Sequence, residues 1–168
     1  MKTNRILAIS LIMAVCSFMF GCAINKGAEE LVNYANQGIL NIAELERKSL
    51  ARYTSVIGEN YTTDQGVYNA LMDEVIPVYK RFLDGLREIH PMNEDIKKVH
   101  GIYIRAAESL YSGFKTKMVG IETKNERIIK QANEQIEKGR KENLRWRLEL
   151  IELYKKYGVA EMKEEEKP

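Results

Sequence analysis

From Ile96 to Tyr157 the apolar residues return at every third and fourth position, almost without interruption. That rhythm matches the 3.6-residue turn of an α-helix and not the two-residue alternation of a half-buried strand. Read literally, it is one helix of roughly 60 residues, about 90 Å long at 1.5 Å per residue. Two signals inside it argue for a break. Gly120 is placed as a helix stop, and Thr123-x-x-Glu126 has the spacing of a capping box, in which side chains satisfy the free amides of a new helix start.

The same rhythm organises the upstream chain. A first segment starts near Ala28, with Leu31, Ala35, Ile39, Ile42, Leu45, Ser49, Tyr53 and Val56 on one stripe. Gly58 is placed to close it in left-handed geometry. A second segment opens at Thr62-Thr63-Asp64-Gln65, where Thr62 and Gln65 are spaced as a capping box. It runs to His90-Pro91, because the residue before proline is pushed out of helical geometry. Pro77 lies inside this segment and implies a fixed kink. Asn93 is the natural cap of a third segment, with Glu94 and Asp95 favourable at its positive start, and Gly158 closes the last. Four segments of roughly 30 residues with short connections are what antiparallel neighbours in a bundle require. The expected fold is therefore all-α, an antiparallel four-helix bundle over residues 28–158. The alternative is three helices, the last long and continuous through residues 93–157. The polar tail, 159–168, has nothing to bury and reads as mobile.

The N-terminus is a different kind of segment. MKTNR carries Lys2 and Arg5 and no acid, and an uncharged run follows from Ile6 to Phe20. A basic start, an apolar stretch and a small residue at its end are the parts of a secretory signal peptide. The stretch, about 15 residues, falls short of the ~20 that a spanning helix needs. Met19-Phe20-Gly21-Cys22 resembles the lipobox of bacterial lipoproteins, although Met19 stands where leucine is commonest and Phe20 is bulkier than usual. Cys16 is the poorer match, since Val15 before it is larger than the small residue the cut requires. The resemblance covers residues 1–22 only. It implies cleavage between Gly21 and Cys22 and lipidation of the Cys22 thiol. The chain is then expected to divide into a signal peptide (1–21), a lipidated start with a short tether (22–27) and the helical domain. Five extended residues, 23 to 27, reach at most about 18 Å, so the first helix would start close to the bilayer. Ala23 stands where aspartate would retain an enteric-type lipoprotein at the inner membrane. The expected location is the outer membrane in a two-membrane host, and otherwise the outer face of the plasma membrane.

Processing would also alter the charge. The chain has 26 Lys+Arg and 24 Asp+Glu, and losing Lys2 and Arg5 leaves 24 of each. A neutral body has no global field to attract nucleic acid, so no nucleic-acid partner is expected. Cys22 would be the one remaining cysteine, its sulfur occupied, which excludes an intrachain disulfide.

Chemical motifs are sparse. Metal-carboxylate bundles place Glu three residues before His, but Arg87 and Lys97 precede His90 and His100 at that spacing. There is no C-x-x-C and no H-E-x-x-H. Ser49, Ser55, Ser109 and Ser112 lie in helical segments without a glycine elbow, so no nucleophile is set up. No catalytic residue, metal or cofactor is expected. His100 lies on the apolar stripe one turn from Tyr103 and reads as a hydrogen-bonded core histidine. Trp146 shares its stripe with Leu150 and Leu153 and reads as core, with the stems of Arg145 and Arg147 covering the core edge. Gly139 and Asn143 interrupt that stripe, so a pocket, if present, is expected around His100, Tyr103, Asn143 and Trp146. These readings imply a membrane-tethered helical lipoprotein of the cell envelope. It would be held to lipid through acylated Cys22 and bind a protein or an envelope component without catalysis. The alternative is a small-molecule sensor or carrier with a pocket between the helices.

Overall fold

The computed structural model describes residues 25–159. Residues 1–24, on which the expected signal peptide, Gly21, Cys22 and most of the expected tether fall, lie outside the described residues, as does the tail from residue 160.

Among the described residues the chain forms four helical rods. The first, α1 (26–54), begins at Lys26, two residues before the position expected from the apolar stripe. The reason is Asn25, whose side chain accepts from the amides of Gly27 and Ala28 at 3.2 and 3.4 Å. A π turn, Tyr34–Ile39, separates its two α-helical stretches, Lys26–Asn33 and Leu40–Thr54. The rod ends at Thr54, where the Thr54 hydroxyl turns back onto the Leu50 and Ala51 carbonyls. Gly58 does adopt a positive φ, 61°, but inside a separate short 3-10 turn, Gly58–Asn60.

The second rod, α2 (64–87), is capped by Thr63 and not by the expected Thr62–Gln65 box. Thr63 is the extended residue, and its Oγ1 accepts from Gly66 N at 3.1 Å, while Gln65 turns to Asn69. Pro77 is absorbed by a second π turn, Leu71–Val75, in which the Ile76 N–H reaches back five residues to the Leu71 carbonyl. Proline removes an amide and crowds the turn before it. Widening that turn accommodates both without breaking the rod. Ser49 Oγ donates to the Val75 carbonyl at 2.9 Å and ties α1 to this turn.

The third and fourth rods are α3, Glu94–Glu122, and α4, Glu126–Tyr157. Asn93 caps α3, accepting from Asp95 N and Ile96 N. The break between α3 and α4 excludes the single long helix, but neither expected signal makes it. Thr123 is the residue that ends α3, its hydroxyl donating to the Val119 carbonyl at 2.7 Å. Lys124 takes φ 49°, and the Asn125 side chain caps α4 by accepting from Ile128 N at 3.2 Å. Gly120 is buried inside α3. A Cβ there would lie 2.9 Å from the Ile129 amide, so its missing side chain permits close approach and does not stop the helix.

Gly139 serves the same seam further along. A Cβ on it would sit 2.9 Å from both the Ala106 carbonyl and the Leu110 amide. Gly120 facing Ile129 and Gly113 facing Ile136 fix α3 and α4 as antiparallel. Ser49 against Val75 and Ile42 against Gly85 do the same for α1 and α2. The fold is an antiparallel four-helix bundle. Its core carries a chain of ring contacts from Tyr53 and Phe114 through Tyr79, Phe82 and Tyr103 to Trp146. The rods α1 and α4 meet where α1 begins, at Asn25 and Tyr157, and diverge beyond it. No helix of the described residues is long and apolar enough to cross a membrane.

Candidate functional site

The bundle interior holds a carboxylate. Glu46 is only 8% exposed. Its Oε2 accepts from the Tyr103 hydroxyl at 2.6 Å and its Oε1 from Asn143 Nδ2 at 3.0 Å. Burial pushes its carboxyl above the usual range, opposed by the Tyr103 bond, the charge of Arg147 and the Asn143 bond. Burial and then the Glu46 charge hold the Tyr103 and Tyr79 hydroxyls well above the ordinary phenol range. Trp146 stacks on Tyr103 with ring centres 3.7 Å apart and planes 13° from parallel. Asn143 Oδ1 has no hydrogen-bond partner among the described residues.

A second buried pair lies beside this network. His100 Nδ1 and the Tyr34 hydroxyl share a hydrogen bond at 3.2 Å, with the rings edge to face. Burial lowers the His100 pKa, with the Leu86 and Ile89 carbonyls opposing and the charge of His90 assisting. Tyr34 is raised by burial and opposed by the Trp146 indole. Tyr34 is thus the link between His100 and the Tyr103–Trp146 stack, and it opens the π turn of α1.

Three of the four expected pocket residues, Tyr103, Asn143 and Trp146, therefore meet around Glu46, and His100 joins them through Tyr34. They bond and stack with one another in the interior, and Asn143 also borders a cleft. That cleft, about 300 Å³, lies where α1 and α4 diverge. Leu50 and Tyr53 of α1 form one wall, Leu110 of α3 the floor, and Arg140, Asn143 and Arg147 of α4 the other wall. Leu144 is 59% exposed at its lip, with Leu148, 56% exposed, one turn further on. Lys117 Nζ donates to the Tyr53 hydroxyl at 3.0 Å and to Asn133 Oδ1 at 3.0 Å. Burial and then Arg140 lower the Lys117 pKa, while burial raises Tyr53 to about 12 against the pull of Arg140. The cleft is thus apolar on its floor and cationic on its α4 wall.

Sequence reasoning missed Glu46, Tyr34 and Arg140. For Glu46 a signal existed: it lies one turn past Ile42 and three residues before Ser49, on the buried face, where an acid must be bonded or neutralised. Nothing local marks Arg140, since its place depends on how far α1 and α4 separate. Among the described residues no group of three or more His, Cys, Asp or Glu side chains is arranged to hold a metal ion. No protein-family model matches the chain, and no match was found among curated proteins or solved structures.

Proposed function

We propose that the chain is a membrane-tethered lipoprotein of the cell envelope that works by binding a protein or envelope component and not by catalysis. The resemblance of Met19-Phe20-Gly21-Cys22 to a lipobox supports the location. The α1–α4 cleft carries the binding half of the reading, because it places exposed Leu144 and Leu148 beside an opening with an apolar floor. A partner would lie in or near the same membrane, since the tether between Cys22 and the Asn25 cap is short. The second reading, a small-molecule sensor or carrier, is favoured by the paired arginines of the same cleft.

Two measurements test the proposal. Mass spectrometry of the processed chain should find its N-terminus at Cys22 carrying acyl groups, and Cys22→Ser should abolish both; an unmodified Cys22 rejects the anchor. A photo-crosslinking residue at position 148, activated in intact envelopes, should give a discrete adduct that one at position 127 does not. Identical products from both positions would reject the binding face.

A further inference from the structure

We infer that the cleft between α1 and α4 is a binding site for a small amphiphile with one anionic head, a carboxylate or a phosphate, and an apolar body. The inference goes beyond the envelope-binding reading and does not depend on lipidation.

The argument starts from the spacing of the arginines. Arg140 and Arg147 are two turns apart on one face of α4, about 10.5 Å along the axis at 1.5 Å per residue. Both line the cleft, with Asn143 and Leu144 between them. A guanidinium carries five N–H donors in a planar fork and cannot be deprotonated in a protein. The protein's own acids leave most of those donors unused. Glu137 approaches Arg140 only to 4.0 Å, as an exposed pair. Glu46 acts on Arg147 through charge, but both of its oxygens are already engaged by Tyr103 and Asn143. Lys117 adds a third cation behind Tyr53. An anionic head between the arginines would receive charge-assisted bonds, which are roughly twice as strong as neutral ones.

The rest of the cleft wants no charge. Leu50 and the ring of Tyr53 form one wall, Leu110 the floor and Leu144 the lip. A volume of about 300 Å³ is at the small end of ligand pockets. At roughly 30 Å³ per water-sized group it holds about ten such groups, which matches a short-chain acid or its phosphate counterpart. A nucleotide or a folded peptide exceeds it. The open lip gives a route of entry that needs no rearrangement of the core.

Calorimetric titration of the purified full chain tests the site, with octanoate, octyl phosphate and octanol as probes. Octanoate or octyl phosphate should bind saturably, and octanol at least tenfold more weakly. Preference between the two anions distinguishes a free acid from a phosphate-headed source, and either preference supports the site. Arg140→Gln and Arg147→Gln should each weaken the anion at least tenfold, while Arg127→Gln, remote from the cleft, should leave it unchanged. Circular dichroism of each variant shows that the fold persists. Absence of saturable binding, octanol binding as tightly as octanoate, or full affinity in both cleft variants would overturn the inference. An unmodified Cys22 would reject the proposed anchor and leave this site standing.

Discussion

Glu46 and His100 respond to pH in opposite senses. Burial raises the Glu46 pKa above its ordinary 4.5, so the folded chain holds a proton that the unfolded chain has released. Its contribution to stability therefore falls as pH rises from 4.5 through the raised value. Burial lowers the His100 pKa below 6.5, so the unfolded chain binds the proton first. Its contribution is complete above 6.5 and is lost as pH falls from there through the lowered value. The lowered acids Glu44, Glu94 and Asp95 titrate below this window, and the buried tyrosines titrate far above it. In the window bounded by about pH 4.5 and 6.5, the Glu46 slope starts at the lower edge and runs upward, the His100 slope starts at the upper edge and runs downward, and their signs are opposite. Glu46→Gln retains an acceptor for Tyr103 and should leave the His100 slope exposed: stability then declines on acidification through this window. His100→Gln should do the reverse. Urea melts at pH 4.5, 5.5 and 6.5 check both, and parallel pH profiles for the two variants would show that neither group is linked to folding. Glu46→Ala strands the Tyr103 hydroxyl and an Asn143 donor, and should cost about 2 to 6 kcal/mol at about 1–3 kcal/mol per stranded group.

At the scale of helices, the α3–α4 seam and the turn that follows α3 make two separable predictions. Alanine is favoured over glycine in a helix by about 1 kcal/mol, yet overpacking costs about 1–3 kcal/mol. At Gly139 the obstructing atoms are backbone, at 2.9 Å, and cannot step aside, so the overpacking cost wins and Gly139→Ala should lower the melting temperature. At Gly101, on the same α3, the only near neighbour is the flexible Arg105 tip at 3.5 Å; there the propensity wins and Gly101→Ala should raise it. Thermal melts of the two variants check the sign, and a shift in the same direction for both would reject the seam argument. In the turn, Lys124 pays for a left-handed conformation at φ 49°. Lys124→Gly should stabilise by up to about 1 kcal/mol, and Asn125→Ala, which removes the α4 cap, should destabilise by about 1 kcal/mol. Denaturant midpoints measure both. The helices themselves were legible because their stripes and caps are local: Asn93 and Gly158 do in the structure what their neighbours in sequence imply. Gly120 was misread as a stop because close approach to Ile129 looks no different in sequence from a helix end.

For the whole molecule, the sequence by itself determined the all-α class and favoured four antiparallel rods over three, because apolar periodicity and short connections act over a few residues; the break between α3 and α4 was settled only in the structure. A fragment spanning residues 25–159 should accordingly give a strongly helical circular dichroism spectrum, and substantial sheet content would contradict it. The lipobox resemblance is likewise local to residues 1–22. Only the tertiary structure decided what faces what. His100, Tyr103, Asn143 and Trp146 were expected together from two rods; what the sequence did not show is that Tyr103 and Asn143 bond to Glu46 from a third rod, with Trp146 stacked on Tyr103. The open space lies one residue away, because Asn143 stands between core and cleft. Whether α1 and α4 close or diverge along their length depends on contacts about a hundred residues apart, such as Glu46 with Asn143, which are separated by 97 positions. A stripe records which face of a helix is buried; how far apart two buried faces come to rest is set by all the side chains between them.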